Sequence, residues 1–363
     1  MTGARAAVFV VAVALIVVVL GYFLARGLHP SPAPIAPKTP PPPAPAIGAA
    51  QVDLGHPTAP ASPSGAARSP RAHVVLSAAW GAAPGQLGRR VDPESLAVGP
   101  MSFFVDAHGV VVLDNVNRRL ARFDANGRPL PPIALDSDAA QDLARSRDRV
   151  AVLDRLHDKR VTLYDADGSV RASLPLTIAG ISDGAAATGV FADRDGALYV
   201  EREHGAWMPL ADAAGDPARG LKAAPGRPTR DGRFVAAAIA DRASGRATVT
   251  LWGSAAPPPA WQVTVGFGAP VMFIALLDSD ANGRIYIGAH TGREAATPPY
   301  AITDESLTIV ALDPDDGHER ARLTLPAPPP REESFRDLYV GDDGTIYWMR
   351  RTAAGVVVEA YRL

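Results

Sequence analysis

The sequence predicts an all-β fold: a six-bladed β-propeller over residues 73–363, carried on one transmembrane helix and a disordered proline-rich linker. Three observations predict it. Short β-runs closed by Asp/Asn-Gly turns recur six times after His73. They recur at the interval a four-stranded blade needs. A single uncharged stretch near the N-terminus has the length of a bilayer.

Residues 1–26 read as an N-terminal signal anchor. Ala6–Ala25, AAVFVVAVALIVVVLGYFLA, runs for twenty residues without a charge between Arg5 and Arg26. That many residues at helical rise match the roughly 30 Å hydrocarbon core. A cleavable signal peptide has an apolar region of about 7–15 residues and small residues at its cleavage site. Here GYFLARG offers large ones, and the chain has no cysteine for a lipid anchor. Basic residues flank both sides of the stretch, so the positive-inside rule is nearly tied. An anchor so close to the start leaves its short N-terminus inside, which puts the body on the periplasmic or outer side. Lysine supplies only three of the 36 basic residues, and Ala, Arg, Pro and Gly abound. That bias points to a GC-rich bacterial genome, hence to a bacterial inner membrane.

Residues 27–72 read as a linker. Thirteen prolines lie between Pro30 and Pro70, including TPPPPAPA at 39–46. Proline lacks the amide donor and favours extended polyproline II, so the stretch serves as a semi-rigid spacer.

The body then repeats strand, turn, strand, polar loop, strand, turn, strand. The clearest unit is 100–135, PMSFFVDAHGVVVLDNVNRRLARFDANGRPLPPIAL, whose alternating β-branched and aromatic residues are bounded by hairpin turns. Further units lie at 150–176, 189–215, 232–266, 273–325 and 337–363. Their second strands start near Val110, Val150, Ala197, Arg233, Arg284 and Thr345, in steps of 40, 47, 36, 51 and 61 residues. The longest step holds an insertion at about 290–306. The last unit supplies three strands, and HVVLSAAWG at 73–81 is an orphan. Pairing the orphan with the last unit closes the ring and leaves no open edge.

The first unit resembles the NHL repeat, a propeller-forming repeat. The matching residues are Pro100, Val105, Asp106, Gly109, Val112, Asp114, Asn117, Arg118, Phe123, Asp124 and Gly127. The second unit keeps Asp154 and Arg160 but has His157 where the repeat has Asn, and WGAAPGQLG at 80–88 resembles the lead-in to such repeats. The resemblance implies a propeller and no particular activity, because the fold hosts many.

Composition excludes several chemistries. With no cysteine there is no disulfide scaffold, thiolate metal site or thiol nucleophile. The formal net charge is −2. Residues 1–72 hold Arg5, Arg26, Lys38, Arg68 and Arg71 against Asp53 alone, so the body is mildly acidic and no nucleic acid is expected as partner. Gly180-Ile-Ser182-Asp-Gly184 has the G-x-S-x-G spacing but does not sit at a strand-to-helix elbow, and no P-loop or dinucleotide fingerprint occurs. The segment DSDANGRIYIGA at 278–289 starts like a calcium loop but has Ala289 where a bidentate Glu belongs. Turns such as DADG and DRDG are what tight hairpins require. His157, His204 and His290 follow second strands, at a radius too large for a shared site, since zinc–nitrogen bonds are about 2.0–2.1 Å. Neither a metal nor another cofactor is expected.

The remaining candidates are loop residues on the His-bearing face, where propellers bind partners. Asn117, Arg118, His157, Lys159, Glu203, His204, Trp207 and Arg351 are the expected binding residues, with Asn115, Arg155, Glu201 and Arg350 beside them. The axis-lining first strands SFFVD, GVFAD, FIALL and RDLYV are mainly apolar, with Asp106, Asp193 and Asp337 as the only candidates for catalytic groups. The expected function is a non-enzymatic binding or scaffold module for an envelope protein or a cell-wall glycan. The alternative is a propeller lyase or lactonase with its site at the channel mouth.

Overall fold

The fold comes from a computed structural model of the chain, which describes residues 72–255, 258–326 and 334–363. The expected anchor and all of the linker but its last residue lie outside the described residues. Among the described residues no helix is long and apolar enough to cross a membrane.

The first strand, β1 (His73–Ala79), is separate from blade one. Blade one is built from β2 (Phe103–Asp106), β3 (Gly109–Asp114), β4 (Arg119–Asp124) and β5 (Pro129–Ala134). Blade two is β6 (Asp142–Ser146), β7 (Arg149–Asp154), β8 (Arg160–Tyr164) and β9 (Val170–Pro175). Blade three has only β10 (Ala187–Ala192), β11 (Leu198–Arg202) and β12 (Ala206–Ala211). Its expected fourth strand is replaced by two isolated bridges, Ala211 to Pro217 and Trp207 to Ala224. The segment between is rich in Pro and Gly, which cannot sustain a ladder. Blade four is β13 (Arg227–Pro228), β14 (Phe234–Asp241), β15 (Arg246–Trp252) and β16 (Trp261–Gly266). Blade five is β17 (Val271–Ser279), β18 (Ile285–Glu294), β19 (Ile302–Leu312) and β20 (Glu319–Pro326). Blade six combines β21 (Leu338–Val340), β22 (Ile346–Arg351) and β23 (Gly355–Tyr361) with β1.

The ring closes as the orphan strand requires. β1 pairs antiparallel with β23 from His73–Ala360 to Ala79–Gly355, and it buries Leu76 and Ala78. Innermost strands touch around the ring, β2 on β6, β6 on β10, β10 on β13, β17 on β21 and β21 on β2; the two-residue β13 leaves β14 to meet β17. Middle strands are buried on both faces because neighbouring blades cover them. Five of the six residues of β3 are buried, whereas five of the six in outer β5 are exposed. The insertion at 290–306 is not a separate loop. It lengthens the β18–β19 hairpin, whose pairing extends to Glu294–Ile302.

Four-stranded antiparallel blades put their turns at two ends. Turns after the first strands gather at one end of the channel, and turns after the second strands gather at the other.

Candidate functional site

The turns after the first strands share a pattern. They read Asp106-Ala-His-Gly109, Ser146-Arg-Asp-Arg149, Asp193-Arg-Asp-Gly196, Thr229-Arg-Asp-Gly232, Asp280-Ala-Asn-Gly283 and Gly341-Asp-Asp-Gly344 in blades one to six. Carboxylates and hydroxyls in these turns cap the backbone. Asp193 Oδ1 accepts from the amides of Asp195 and Ala197, each at 2.9 Å. Asp280 Oδ1 accepts from Asn282 at 2.9 Å and Arg284 at 3.0 Å. Where the fourth residue is glycine it takes positive φ, 86° at Gly196 and 91° at Gly232, where a side chain would be strained; in blade two Arg147 takes it instead. The second residue is left free to face the axis. In blades two to six those residues are Arg147, Arg194, Arg230, Ala281 and Asp342, and all five line a cavity of about 240 Å³ at the channel mouth.

Six arginines line this cavity against three aspartates. Below the turns the inner strands add Arg145, Arg227 and Asp278, and the approach to β21 adds Arg336. Two buried carboxylates organise the ring. Asp142 accepts from Ser102 Oγ at 2.7 Å, the Val190 amide at 3.0 Å and Arg336 Nη2 at 2.6 Å, joining blades one, three and six to its own blade two. Asp278 pairs with Arg227 at 3.3 Å and Arg230 at 3.1 Å, and accepts from the Val340 amide at 3.2 Å. Phe191 lies between two guanidinium groups, Arg227 at 3.5 Å and Arg336 at 4.1 Å from its ring centre. Higher up, Asp342 bridges Arg145 at 2.7 Å and Arg230 at 3.3 Å, so one carboxylate links blades two, four and six across the axis.

Burial and charge act in opposite directions here. Burial pushes the Arg227 guanidinium down to about 10, aided by Arg336 and Arg230, so it stays charged at neutral pH. Burial alone would raise Asp278, but Arg230, Arg227 and the Ser279 amide outweigh it and hold the carboxyl below its ordinary value. Glu201 goes the other way: desolvation raises it, against a hydrogen bond from Thr188. Arg147 and Arg194 differ from the inner arginines. Both are exposed, and neither makes an ion pair or hydrogen bond among the described residues. A second, more apolar cavity of about 680 Å³ between blades one and two shares Phe104, Arg145 and Arg147 with the mouth.

The sequence-predicted site residues lie on other turns. Arg118, Lys159, Glu203 and His204 are exposed in turns after second strands, all with positive φ. His157 is in the same set, its side chain 73% exposed. Asn117 is half-buried and structural: its Nδ2 donates to Gly81 O at 2.9 Å and Asp114 Oδ2 at 2.8 Å, tying the lead-in segment to blade one. Three expectations are corrected. Trp207 is buried in β12, edge-on to Phe191 at 4.8 Å, because a large ring at a strand position packs inward. Arg351 is buried and binds Asp337 Oδ1 at 2.7 Å and Pro100 O. His290 follows no strand but sits within β18, opposite Leu307 and stacked on Phe273 at 4.5 Å. Among the described residues, neither His204 nor His290 belongs to a group able to hold a metal.

The axis is also more charged than its apolar first strands suggest. The first strands β6 and β13, whose sequences are not among those four, supply Asp142, Arg145 and Arg227. The three expected carboxylates are engaged: Asp106 caps His108, Asp193 caps its turn, and Asp337 holds Arg351 and Ser334.

No family model matches the sequence, and no curated protein matches it. Among solved structures the chain is similar to Kuenenia stuttgartiensis hydrazine synthase, at 13% identity over 69% of this chain and 74% of that one, TM-score 0.47. It is similar to a protein of unknown function from Bacteroides caccae, at 15% identity over 65% and 85%, TM-score 0.39. It is also similar to the mitotic checkpoint complex, at 14% identity over 88% and 99%, TM-score 0.42. The six-bladed propeller itself rests on the strand ladders described above.

Proposed function

We propose that this chain is a non-enzymatic binding module, an NHL-like propeller anchored in a bacterial inner membrane by residues 6–25 and displayed on the periplasmic side by the linker. Its arginine-lined mouth receives a carboxylate of an envelope partner. The observation that carries this reading is the same turn position occupied by Arg147, Arg194 and Arg230 on three consecutive blades around one cavity. Guanidinium groups bind carboxylates through paired hydrogen bonds, and two of these three have no internal partner to give up. The apolar cavity beside Arg147 suits an acidic protein segment with an apolar neighbour better than it suits a glycan.

The test uses full-length protein in detergent micelles, titrated with a fluorescent Asp/Glu- and Leu-containing peptide and with soluble cell-wall glycan fragments. The peptide is expected to bind, and Arg147→Glu with Arg194→Glu is expected to weaken it by about 100-fold, roughly tenfold per lost contact. Glu203→Ala with His204→Ala, at the other end of the channel, leaves affinity unchanged. Binding that survives the arginine reversals and is lost with the second pair moves the site to the opposite face.

A further inference from the structure

Blades one and two differ at one equivalent position, and the difference leaves a carboxylate oxygen without a partner. Asp114 closes β3 and pairs in register with Arg119; Asp154 closes β7 and pairs in register with Arg160. In blade one the carboxylate is fully used. Oδ1 accepts from the Gly88 amide at 2.9 Å, and Oδ2 accepts from Asn117 Nδ2 at 2.8 Å and Arg119 Nε at 2.9 Å. Blade two has His157 in place of the asparagine and one extra residue, Asp158, before its arginine. Asp158 Oδ2 takes Arg160 at 2.6 Å, so the arginine no longer serves Asp154. Asp154 Oδ1 still accepts the amides of His157 at 2.9 Å and Asp158 at 3.2 Å. Its Oδ2 is buried with no hydrogen-bond partner, in a residue only 6% exposed. Leaving a buried carboxylate oxygen unmatched is costly, and native structures rarely do it without an ion or water at the site.

We propose that this loop holds a divalent metal ion, ligated by Asp154, His157 and Asp158. One donor atom from each of the three lies within 4.8 Å of the others. His157 Nδ1 is 3.0 Å from Asp158 Oδ1, the oxygen not engaged by Arg160. Asp154 and Asp158 also line, with Asp136, a half-open cleft of about 30 Å³, room enough for a small hydrated group. Two carboxylates and one imidazole suit Zn²⁺ or Mn²⁺, with the remaining positions left to water. The ion would supply the missing partner for Asp154 and fasten the loop at the end of the channel opposite the arginine mouth. A second group, Asp313, Asp316 and His318, lacks the open oxygen: Asp313 Oδ1 accepts the Asp315 amide at 2.9 Å and Oδ2 takes Arg320 at 2.6 Å.

The test is thermal unfolding of untagged, full-length protein after chelation, with Zn²⁺, Mn²⁺ or Ca²⁺ added back, together with calorimetric titration. Zn²⁺ or Mn²⁺ is expected to bind as one ion and raise the midpoint by about 5 °C at saturation. Asp154→Asn and His157→Ala abolish that rise, and Asp313→Asn keeps it. Bound Mn²⁺ should show nitrogen coupling in pulsed EPR that disappears in His157→Ala. Should Asp154→Asn fail to fold, the exposed His157 carries the test. No rise with any of the three ions overturns the proposal, as does a rise that survives His157→Ala.

Discussion

Replacing Asp142 by Asn removes one charge and almost no volume from the middle of the ring. The carboxylate is fully buried and holds groups from three other blades: Ser102 at 2.7 Å, the Val190 amide at 3.0 Å and Arg336 at 2.6 Å. An asparagine keeps one acceptor oxygen but turns an NH₂ toward donors, and it leaves Arg336 charged over Phe191 without its counterion. Breaking a buried ion pair from one side costs about 3–5 kcal/mol. For a domain of this size about 1 kcal/mol shifts the midpoint by roughly 2–4 °C, so the variant should melt about 10 °C below wild type. The assay is differential scanning calorimetry of full-length protein at pH 7. Adding Arg336→Met to Asp142→Asn should recover part of the loss, because the stranded charge is then gone. A single variant within about 2 °C of wild type would refute the idea that the inner strands are joined through this carboxylate.

Deleting residues 72–80 removes the β1 ladder and should lower the midpoint far more than deleting residues 46–69, which lie outside the described residues; equal melting curves would mean the ring closes otherwise. Glu201→Gln should stabilise the protein at pH 7, because burial raises this carboxyl and folding therefore favours its protonated form; the gain should vanish below about pH 4, where the unfolded chain is protonated too, and a gain that persists there counts against desolvation as its cause. Asp278 has the opposite sign: its depressed native value gives stability that is whole above the ordinary carboxyl range and lost as pH falls below about 4, so Asp278→Asn should flatten the acid limb of the stability curve. Full-length protein should stay in the membrane pellet through high-salt and carbonate washes; release by carbonate would contradict the anchor at residues 6–25.

Much of the fold was legible because a blade is written locally. Each second strand begins within one residue of the position its hairpin turn marks, from Gly109 and Arg149 through Leu198 and Phe234 to Ile285 and Ile346. Closure was legible too, since three strands at one end and one at the other leave a single economical pairing. What failed was local evidence read without its partner strand. The stretch from Asp212 to Gly226 holds Pro217 and Pro225, which lack amide donors, and Gly215 and Gly220, which favour turns, so no ladder forms there. Residues 290–306 interrupt the repeat and read as an insertion, yet pairing carries the hairpin out to Glu294 and Ile302 through residues of low β-propensity, held by the ladder rather than by local preference.

The site was harder to read, for a reason that can be stated residue by residue. A turn such as Asp193-Arg-Asp-Gly196 draws the eye to the carboxylate and the glycine, which make the turn, and not to the residue between them. Yet the capped backbone presents that residue to the axis. The signal was present as an Arg-Asp pair at 147–148, 194–195 and 230–231, three blades in a row. The ion pairs beneath it had no such signal, since Asp142 and Arg336 lie 194 residues apart and meet only because the ring closes. Closure therefore does two things at once. It seals the sheet edge with β1, and it brings blade six against blades two and three, where Arg336 becomes the counterion of Asp142 and the second cation over Phe191. A propeller opened at β1 should accordingly lose the geometry of the arginine mouth along with its stability.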